Sequence, residues 1–91
     1  MNRRELLNSA DRGEHIAAHG VTLEEVREVF YGEAMVRRQR QGFYMLIGQS
    51  QNGRYLAVLI GDRGAGNYGL VTARDATDHE RNQARQTGRR R

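Results

Sequence analysis

The stretch FYMLIGQSQNGRYLAVLI, residues 43–60, decides the fold of this protein. Two runs rich in apolar and aromatic residues flank Asn52-Gly53, the dipeptide most typical of a two-residue type I′ hairpin loop. In such a loop Gln51 pairs with Arg54. The rest of the register follows by counting outward from that pair.

This register sorts the hairpin side chains onto two faces. One face is entirely apolar and is expected to lie under helices; its members are Phe43, Met45, Ile47, Leu56, Val58 and Ile60. The other face mixes aromatic, small and apolar groups, and Tyr44 and Tyr55 share it. Such a mixture is typical of a surface that a partner partly covers.

Helical signals precede the hairpin. Residues 11–32 read as a helical pair, with Gly20 and Gly32 as C-terminal caps and Thr22-Leu-Glu-Glu25 as the capping box of the second helix. A strand over residues 34–40 connects this pair to the hairpin.

The hairpin is followed by a glycine-rich loop over residues 61–67, which leads into a strand ending at Arg74. This loop is not a P-loop, because phosphate loops of that type lead into a helix. A second capping box, Thr77-Asp-His-Glu80, predicts a short helix over residues 78–86.

Together these elements predict an α+β fold: an N-terminal helical pair packed on a small, mainly antiparallel four-stranded sheet, with a short C-terminal helix. Residues 1–10 are predicted to be a lead-in segment and residues 11–86 a single domain. Residues 87–91 are predicted to be a disordered arginine-rich tail.

Length and composition narrow the function classes. With 91 residues the chain holds one small core, and the absence of Cys excludes disulfides, thiolate zinc sites and a cysteine nucleophile. No apolar run is long enough to cross a bilayer, and no signal peptide is expected. We therefore expect a cytoplasmic protein without membrane association.

The net charge of +4 is unevenly distributed. Residues 1–33 carry four arginines against seven acids, whereas residues 34–74 carry six arginines against Asp62 alone. Residues 75–84 carry one arginine against three acids, and residues 85–91 carry four arginines and no acid. The sheet segment is thus a candidate surface for polyanions.

Several side chains have both a structural and a chemical interpretation. His15 and His19 have a spacing at which two imidazoles share a metal, but no third ligand is obvious and helix capping is favoured for a histidine before Gly20; a catalytic imidazole is the remaining alternative. Glu80 is either a general base or only the last member of its capping box. Arg74 is either paired with an acid or available to a phosphate.

The order of these motifs resembles a known family. The matching pieces are His19-Gly20-Val21, residues 24–30, Ile47-Gly48, Gly53-Arg54, Thr72-Ala73-Arg74, Thr77 and Glu80-Arg81. In this order and spacing the chain resembles the BrnT-type toxins of bacterial type II toxin–antitoxin systems. These are small ribonucleases with a RelE-like fold, and their antitoxins carry a ribbon-helix-helix DNA-binding domain.

The resemblance implies catalytic roles for His19, Arg63, Arg74 and Glu80. It also shows departures from the family pattern. Ser9-Ala10-Asp11 stands where Trp-Asp is usual, and Tyr44, Gln49 and Gly69 stand where the family usually has arginines.

The first hypothesis is a metal-independent endoribonuclease toxin that needs no cofactor. Arg74, with Arg63 or Arg54, would bind the scissile phosphate, while His19 or Glu80 assists attack by the 2′-hydroxyl. The candidate RNA-binding residues are Arg38, Arg40, Tyr44, Arg54 and Tyr55. The expected partners are an RNA substrate and a ribbon-helix-helix antitoxin, and a homodimer stays open.

Two alternatives from other classes stay open. The first is a non-catalytic module of the same fold that binds RNA or an antitoxin, which the missing arginines favour. The second is a small structural partner whose basic strip is solvated surface.

Overall fold

The computed structural model describes residues 3–7 and 10–89. Its elements in chain order are β1 (Glu5–Leu7), α1 (Ala10–Ala17), α2 (Leu23–Tyr31), β2 (Ala34–Arg38), β3 (Phe43–Gln49), β4 (Tyr55–Gly64), β5 (Asn67–Asp75) and α3 (Asp78–Arg89). Within the described ranges, no helix has the length and apolar character needed to span a bilayer.

The strands form one five-stranded sheet in the order β1-β5-β4-β3-β2. β2 to β5 pair antiparallel with their sequence neighbours, whereas β1 pairs parallel with β5, with Leu6 opposite Tyr68. The α+β class is confirmed, but the four-stranded sheet is wrong, and the helical pair is not N-terminal because β1 precedes it. Strand β1 has only three residues, and Leu6 is its one buried side chain. It is too short to show the alternation of apolar and polar residues that predicts a strand.

The predicted lead-in segment therefore contains β1. Its residues 1, 2, 8 and 9 lie outside the described residues, as do residues 90 and 91 of the predicted tail. Helix α3 continues to Arg89, three residues beyond the end at residue 86 that its sequence pattern predicts.

Both capping boxes form. The Thr22 hydroxyl accepts from the Glu25 backbone N–H at 3.1 Å while the Glu25 carboxylate accepts from the Thr22 N–H at 3.0 Å. The Thr77 hydroxyl accepts from the Glu80 N–H at 3.2 Å, and Glu80 accepts from the Thr77 N–H at 2.9 Å. Each box satisfies N–H groups that have no partner within the helix, so α2 and α3 begin where the sequence predicts.

The β3–β4 hairpin lies where Asn52-Gly53 predicts it, but its register differs by one residue. The Ser50 N–H donates to the Arg54 carbonyl at 2.8 Å, which leaves three residues in the loop instead of two. Gly53 supplies the left-handed conformation, with φ at +90°, that such a loop needs at its last position. The Asn52 side chain accepts from the Arg54 N–H and bonds the Ser50 hydroxyl, which stabilises the wider loop.

The shifted register exchanges the two faces of β3. Leu46 lies opposite Val58 on the face covered by α1 and α2, which we call the helical-pair face. Ile47 lies opposite Ala57 on the other face. The prediction that Phe43, Met45 and Ile47 lie under the helical pair is therefore wrong. The core under that pair is built instead by Leu6, Ile16, Val21, Val26, Val29, Phe30, Leu46, Leu56, Val58, Ile60, Tyr68, Leu70 and Ala73.

Helix α3 packs on the opposite side of the sheet, which we call the α3 face; its β3 and β4 members are Phe43, Met45, Ile47, Gln49, Tyr55, Ala57, Leu59 and Gly61. The Arg85 guanidinium lies 5.6 Å from the centre of the Tyr55 ring. Ile47 and Ala57 are buried on this face, whereas Phe43 is 41% exposed. Helix α3 thus covers one end of the face and leaves the other end open.

The register predicts the outcome of disulfide engineering. Because Ser50 and Arg54 form a hydrogen-bonded pair, Gln49 and Tyr55 form the next, non-hydrogen-bonded pair, whose side chains lie close together. We expect Gln49→Cys/Tyr55→Cys to form an intramolecular disulfide on mild oxidation of the native protein, measured by thiol titration and intact mass.

The matched control is Gln49→Cys/Leu56→Cys, which pairs the residues that a two-residue loop would place opposite each other. Leu56 lies on the helical-pair face, so this variant should keep both thiols free. Bridging in the control and not in the first variant would contradict the register.

Candidate active site

Two arginines from non-adjacent strands meet at one carboxylate on the α3 face. Arg74 of β5 donates to both oxygens of Glu80, from Nη1 at 2.8 Å and from Nη2 at 3.0 Å. Arg37 of β2 donates from Nη1 to Glu80 Oε2 at 3.2 Å. We call Arg37, Arg74 and Glu80 the two-arginine cluster.

The hairpin register brings these arginines together. Arg37 lies opposite Met45, and Arg74 lies opposite Ala57. Met45 and Ala57 share a face only when odd-numbered residues of β3 pair with odd-numbered residues of β4, as they do here. In the register of a two-residue loop, the two arginines would lie on opposite sides of the sheet.

Glu80 is the ionised anchor of the cluster. The hydrogen bonds from Arg74 lower the pKa of Glu80 to about 2, helped by the Thr77 backbone N–H and opposed by burial. The same pairing raises the pKa of Arg74. A carboxylate this weakly basic is a poor proton acceptor near neutral pH, and its hydrogen bonds fix the orientation of the two guanidinium groups.

The two guanidinium groups keep donors for a ligand. The side chains of Arg37 and Arg74 are 45% and 43% exposed, whereas that of Glu80 is 8% exposed. The cluster therefore carries one net positive charge and presents two planar groups of N–H donors to solvent. Such a pre-oriented pair suits a phosphate group and the negative charge that develops on it during transfer.

The structure brings together two of the four catalytic residues implied by the sequence, Arg74 and Glu80. Arg37 was not among the predicted site residues. The sequence does indicate that side chains alternate along β2, so that Arg37 lies on the opposite face from Arg38 and Arg40. Because the two-residue loop register separates Arg37 from Arg74, their meeting at Glu80 could not be read from the sequence.

Arg63 lies on the same face but further along it. Its guanidinium rests on Gly69, where a Cβ would lie 2.9 Å from Arg63 Nε. Gly61 pairs with Gly69 and lies four residues along β4 from Ala57, which pairs with Arg74; this is a separation of about 13 Å along the strand. Arg63 is exposed, forms no ion pair with any described residue, and does not contact the two-arginine cluster.

His19 lies in the turn after α1 and is exposed. Its ring is 5.1 Å from that of His15, and His15 Nε2 lies 3.0 Å from the Thr72 hydroxyl. No hydrogen bond between described residues joins His19 to the two-arginine cluster. Over residues 3–7 and 10–89, no three His, Asp or Glu side chains come together as a metal-binding group.

Arg54 forms hydrogen bonds and ion pairs within the protein. Its Nε donates to Asp75 Oδ1 at 2.7 Å, and its Nη1 donates to the Gly20 carbonyl at 2.6 Å and to Glu25 at 3.3 Å. The bond to Asp75 is the main cause of the raised pKa of Arg54. Arg54 thus ties the start of β4 to the turn after α1, to α2 and to the end of β5.

The remaining candidates for RNA binding are dispersed. Tyr55 lies on the α3 face beneath Arg85, whereas Tyr44 lies on the helical-pair face with its ring 6.0 Å from that of Tyr68. The prediction that Tyr44 and Tyr55 share a face is wrong because of the one-residue shift. Arg38 and Arg40 are exposed at and beyond the end of the outermost strand, β2.

The lowered pKa of Glu80 predicts how stability depends on pH. A carboxylate with a folded-state pKa of about 2 and an ordinary value of 4.5 stabilises the fold fully above pH 4.5 and loses this contribution as the pH falls toward 2. The loss should be on the order of 2–3 kcal/mol. Glu80→Gln should show a much flatter stability profile over this range, measured by urea unfolding.

Glu24→Gln is the control, since Glu24 is an exposed carboxylate in the first turn of α2. It should retain the wild-type profile. Parallel profiles for wild type and Glu80→Gln would show that the cluster does not hold Glu80 ionised.

Comparison with known proteins finds a similar fold among solved structures. No family model and no curated protein sequence matches the chain. Among solved structures, the fold is similar to the Brucella abortus ribonuclease toxin BrnT, with a TM-score of 0.66 and 18% sequence identity over 81% of this chain and 97% of that one. The structural resemblance that the sequence motifs predict is confirmed, and this chain has the fold of the BrnT ribonuclease toxin.

Proposed function

We propose that this protein is a toxin of a type II toxin–antitoxin system and cleaves RNA in the cytoplasm without a metal ion. The observation that carries the proposal is the two-arginine cluster, which lies beside the open part of the α3 face. The fold supports it, since the similar Brucella protein is a ribonuclease toxin.

In the proposed reaction, the 2′-oxygen of RNA attacks the adjacent phosphorus, and the bond from phosphorus to the 5′-oxygen breaks. The products are a 2′,3′-cyclic phosphate and a free 5′-hydroxyl. Arg37 and Arg74 bind the non-bridging oxygens and stabilise their growing negative charge. Removing one such preorganised donor typically costs about 10²–10³-fold in rate.

Glu80 acts in this scheme as a positioning residue. It holds both guanidinium groups in one orientation before RNA arrives, so little reorganisation is needed at the transition state. His19 stays a predicted proton carrier from the sequence resemblance. Since no contact between described residues joins it to the cluster, water takes the 2′-hydroxyl proton and returns one to the 5′-oxygen in this scheme. Arg63, Arg38, Arg40 and Tyr55 remain proposed contacts to the flanking RNA.

The proposed protein partner is an antitoxin with a ribbon-helix-helix domain. The open part of the α3 face is the proposed site of inhibition, because a bound segment there would block access to the two-arginine cluster. Whether the protein forms a homodimer stays open.

The second candidate is a module that binds RNA or an antitoxin without cutting RNA. Two observations favour it: Glu80 neutralises one of the two arginines, and Tyr44, Gln49 and Gly69 stand where the resemblance leads us to expect arginines.

Incubation of the purified protein with total RNA separates the two candidates. We expect cleavage that EDTA does not change and that Arg37→Ala or Arg74→Ala each slows by about 10²–10³-fold. The products should carry 2′,3′-cyclic phosphate ends, detected because they resist adapter ligation after alkaline phosphatase alone and accept it only after acid opens the ring before the phosphatase step.

Arg27→Gln is the matched control, because Arg27 is exposed on α2, on the other side of the sheet. It should cleave at the wild-type rate. Intact RNA that nevertheless shifts in a gel would contradict the ribonuclease proposal and favour the binding module.

A further inference from the structure

The open end of the α3 face contains a cleft with a floor of paired glycines. Gly61 of β4 lies opposite Gly69 of β5, and the cleft above them has a volume of about 550 Å³. Its walls include Phe43, Arg63, Val71 and Leu7. We call this the glycine cleft.

An exposed aromatic ring forms one side of the cleft. Phe43 is 41% exposed, whereas Leu46, Ile47 and Gly48 of the same strand are buried. Its ring rests against Gly61, where a Cβ would lie 3.2 Å from Phe43 Cε1. The absence of a side chain at Gly61 therefore lets the ring lie close to the sheet, with part of its surface left to solvent.

A guanidinium without an acidic partner forms the other side. Arg63 rests on Gly69 as Phe43 rests on Gly61, so the two side chains lie over neighbouring glycines of paired strands. Asp62 also lines the cleft, but its Oδ1 accepts from the Gly64 N–H at 2.7 Å in its own loop. No ion pair within the described residues joins it to Arg63.

We propose that the glycine cleft is a nucleotide subsite, in which an unpaired base stacks on Phe43 and a neighbouring phosphate pairs with Arg63. This inference rests on the proposed function and assigns a position on its RNA substrate. A flat aromatic ring and a planar cation over a floor without side chains match the two parts of a nucleotide.

Continuity with the two-arginine cluster favours RNA over a protein segment. The cleft and the cluster lie on the same face of β4, separated by about 13 Å along the strand. The surface between them includes Met45 and Leu59, which are partly exposed, and no acidic residue of β3 or β4 lies on this face between Ala57 and Gly61. A single strand bound at the cluster could therefore follow β4 into the glycine cleft.

The first test measures binding of a single-stranded oligonucleotide made resistant to cleavage by 2′-O-methyl groups, using fluorescence anisotropy over a series of salt concentrations. Phe43→Leu should weaken binding about 10-fold without changing the salt dependence, because stacking is lost and no charge is removed. Phe43→Trp should bind the oligonucleotide with about the wild-type affinity, because its aromatic ring can also stack on a base. Arg63→Gln should lower the slope of log affinity against log salt by about 0.7, the value for one lost phosphate contact on a single strand.

The controls separate these effects from misfolding and non-specific charge. Arg27→Gln removes a charge from the helical layer and should leave the salt slope and affinity near wild type. Thermal unfolding checks that each variant is folded, and light scattering checks its mass. A change from dimer to monomer in Phe43→Leu would overturn the proposal, since the cleft would then be a contact between copies.

The second test locates the base. The same oligonucleotide, with 5-iodouridine at successive positions, should crosslink to Phe43 under long-wavelength ultraviolet light from one position only. Trypsin cuts after Arg40 and Arg54, so the crosslink lies on the peptide 41–54, in which fragment-ion sequencing separates Phe43 from Tyr44.

The outcomes distinguish this inference from the proposed function. One outcome is that the wild-type protein cleaves RNA, while Phe43→Leu and Arg63→Gln bind the oligonucleotide like wild type and the crosslinks lie elsewhere. This result would overturn the subsite and leave the ribonuclease proposal in place. The expected crosslink and salt slope without any cleavage would support the subsite and contradict the ribonuclease. Absence of all RNA binding would overturn both.

Discussion

The hydrogen bond from Ser50 to Arg54 sets the register on which the candidate site depends. It closes a three-residue loop, and side chains alternate strictly between the faces of a strand. Arg37 and Arg74 consequently reach the same side of the sheet across β3 and β4. A loop shorter by one residue would separate them and would leave Glu80 with one guanidinium at most.

The charge distribution acquires a more specific meaning in the structure. The six arginines of residues 34–74 do not form one basic patch. Arg54 holds secondary-structure elements together, while Arg38 and Arg40 lie at and beyond the end of the outermost strand. The other three lie on the α3 face, two bound to Glu80 and one over Gly69. Local geometry, rather than net charge, selects the arginines that can act on a single phosphate strand.

The sequence predicts the features that local chemistry determines. The capping boxes at Thr22 and Thr77 and the hairpin at Asn52-Gly53 depend on residues close in the chain, and all are present in the structure. The BrnT-like fold also follows from the order of the motifs. The finer assignments of catalytic residues stay predictions.

The features that the sequence does not predict depend on contacts between distant segments. Strand β1 forms by pairing with the distant strand β5. Arg37 contacts Glu80 only because the pairing of the strands brings these two distant residues together. The predicted hairpin register is wrong because a two-residue type I′ loop and a three-residue loop both accommodate Asn-Gly. The Asn52 bonds to Ser50 and Arg54 decide between them, and one residue of difference changes which side chains can meet.

We propose above all that Arg37 and Arg74 act as one unit on the scissile phosphate. A double-mutant cycle of single-turnover RNA cleavage tests it most directly, using Arg37→Ala, Arg74→Ala and the double variant. Because either arginine alone cannot form the clamp, we predict strong non-additivity, with the double variant cleaving about as slowly as the slower single variant. Fully additive losses of activation free energy, or an Arg37→Ala variant as fast as wild type, would contradict the account.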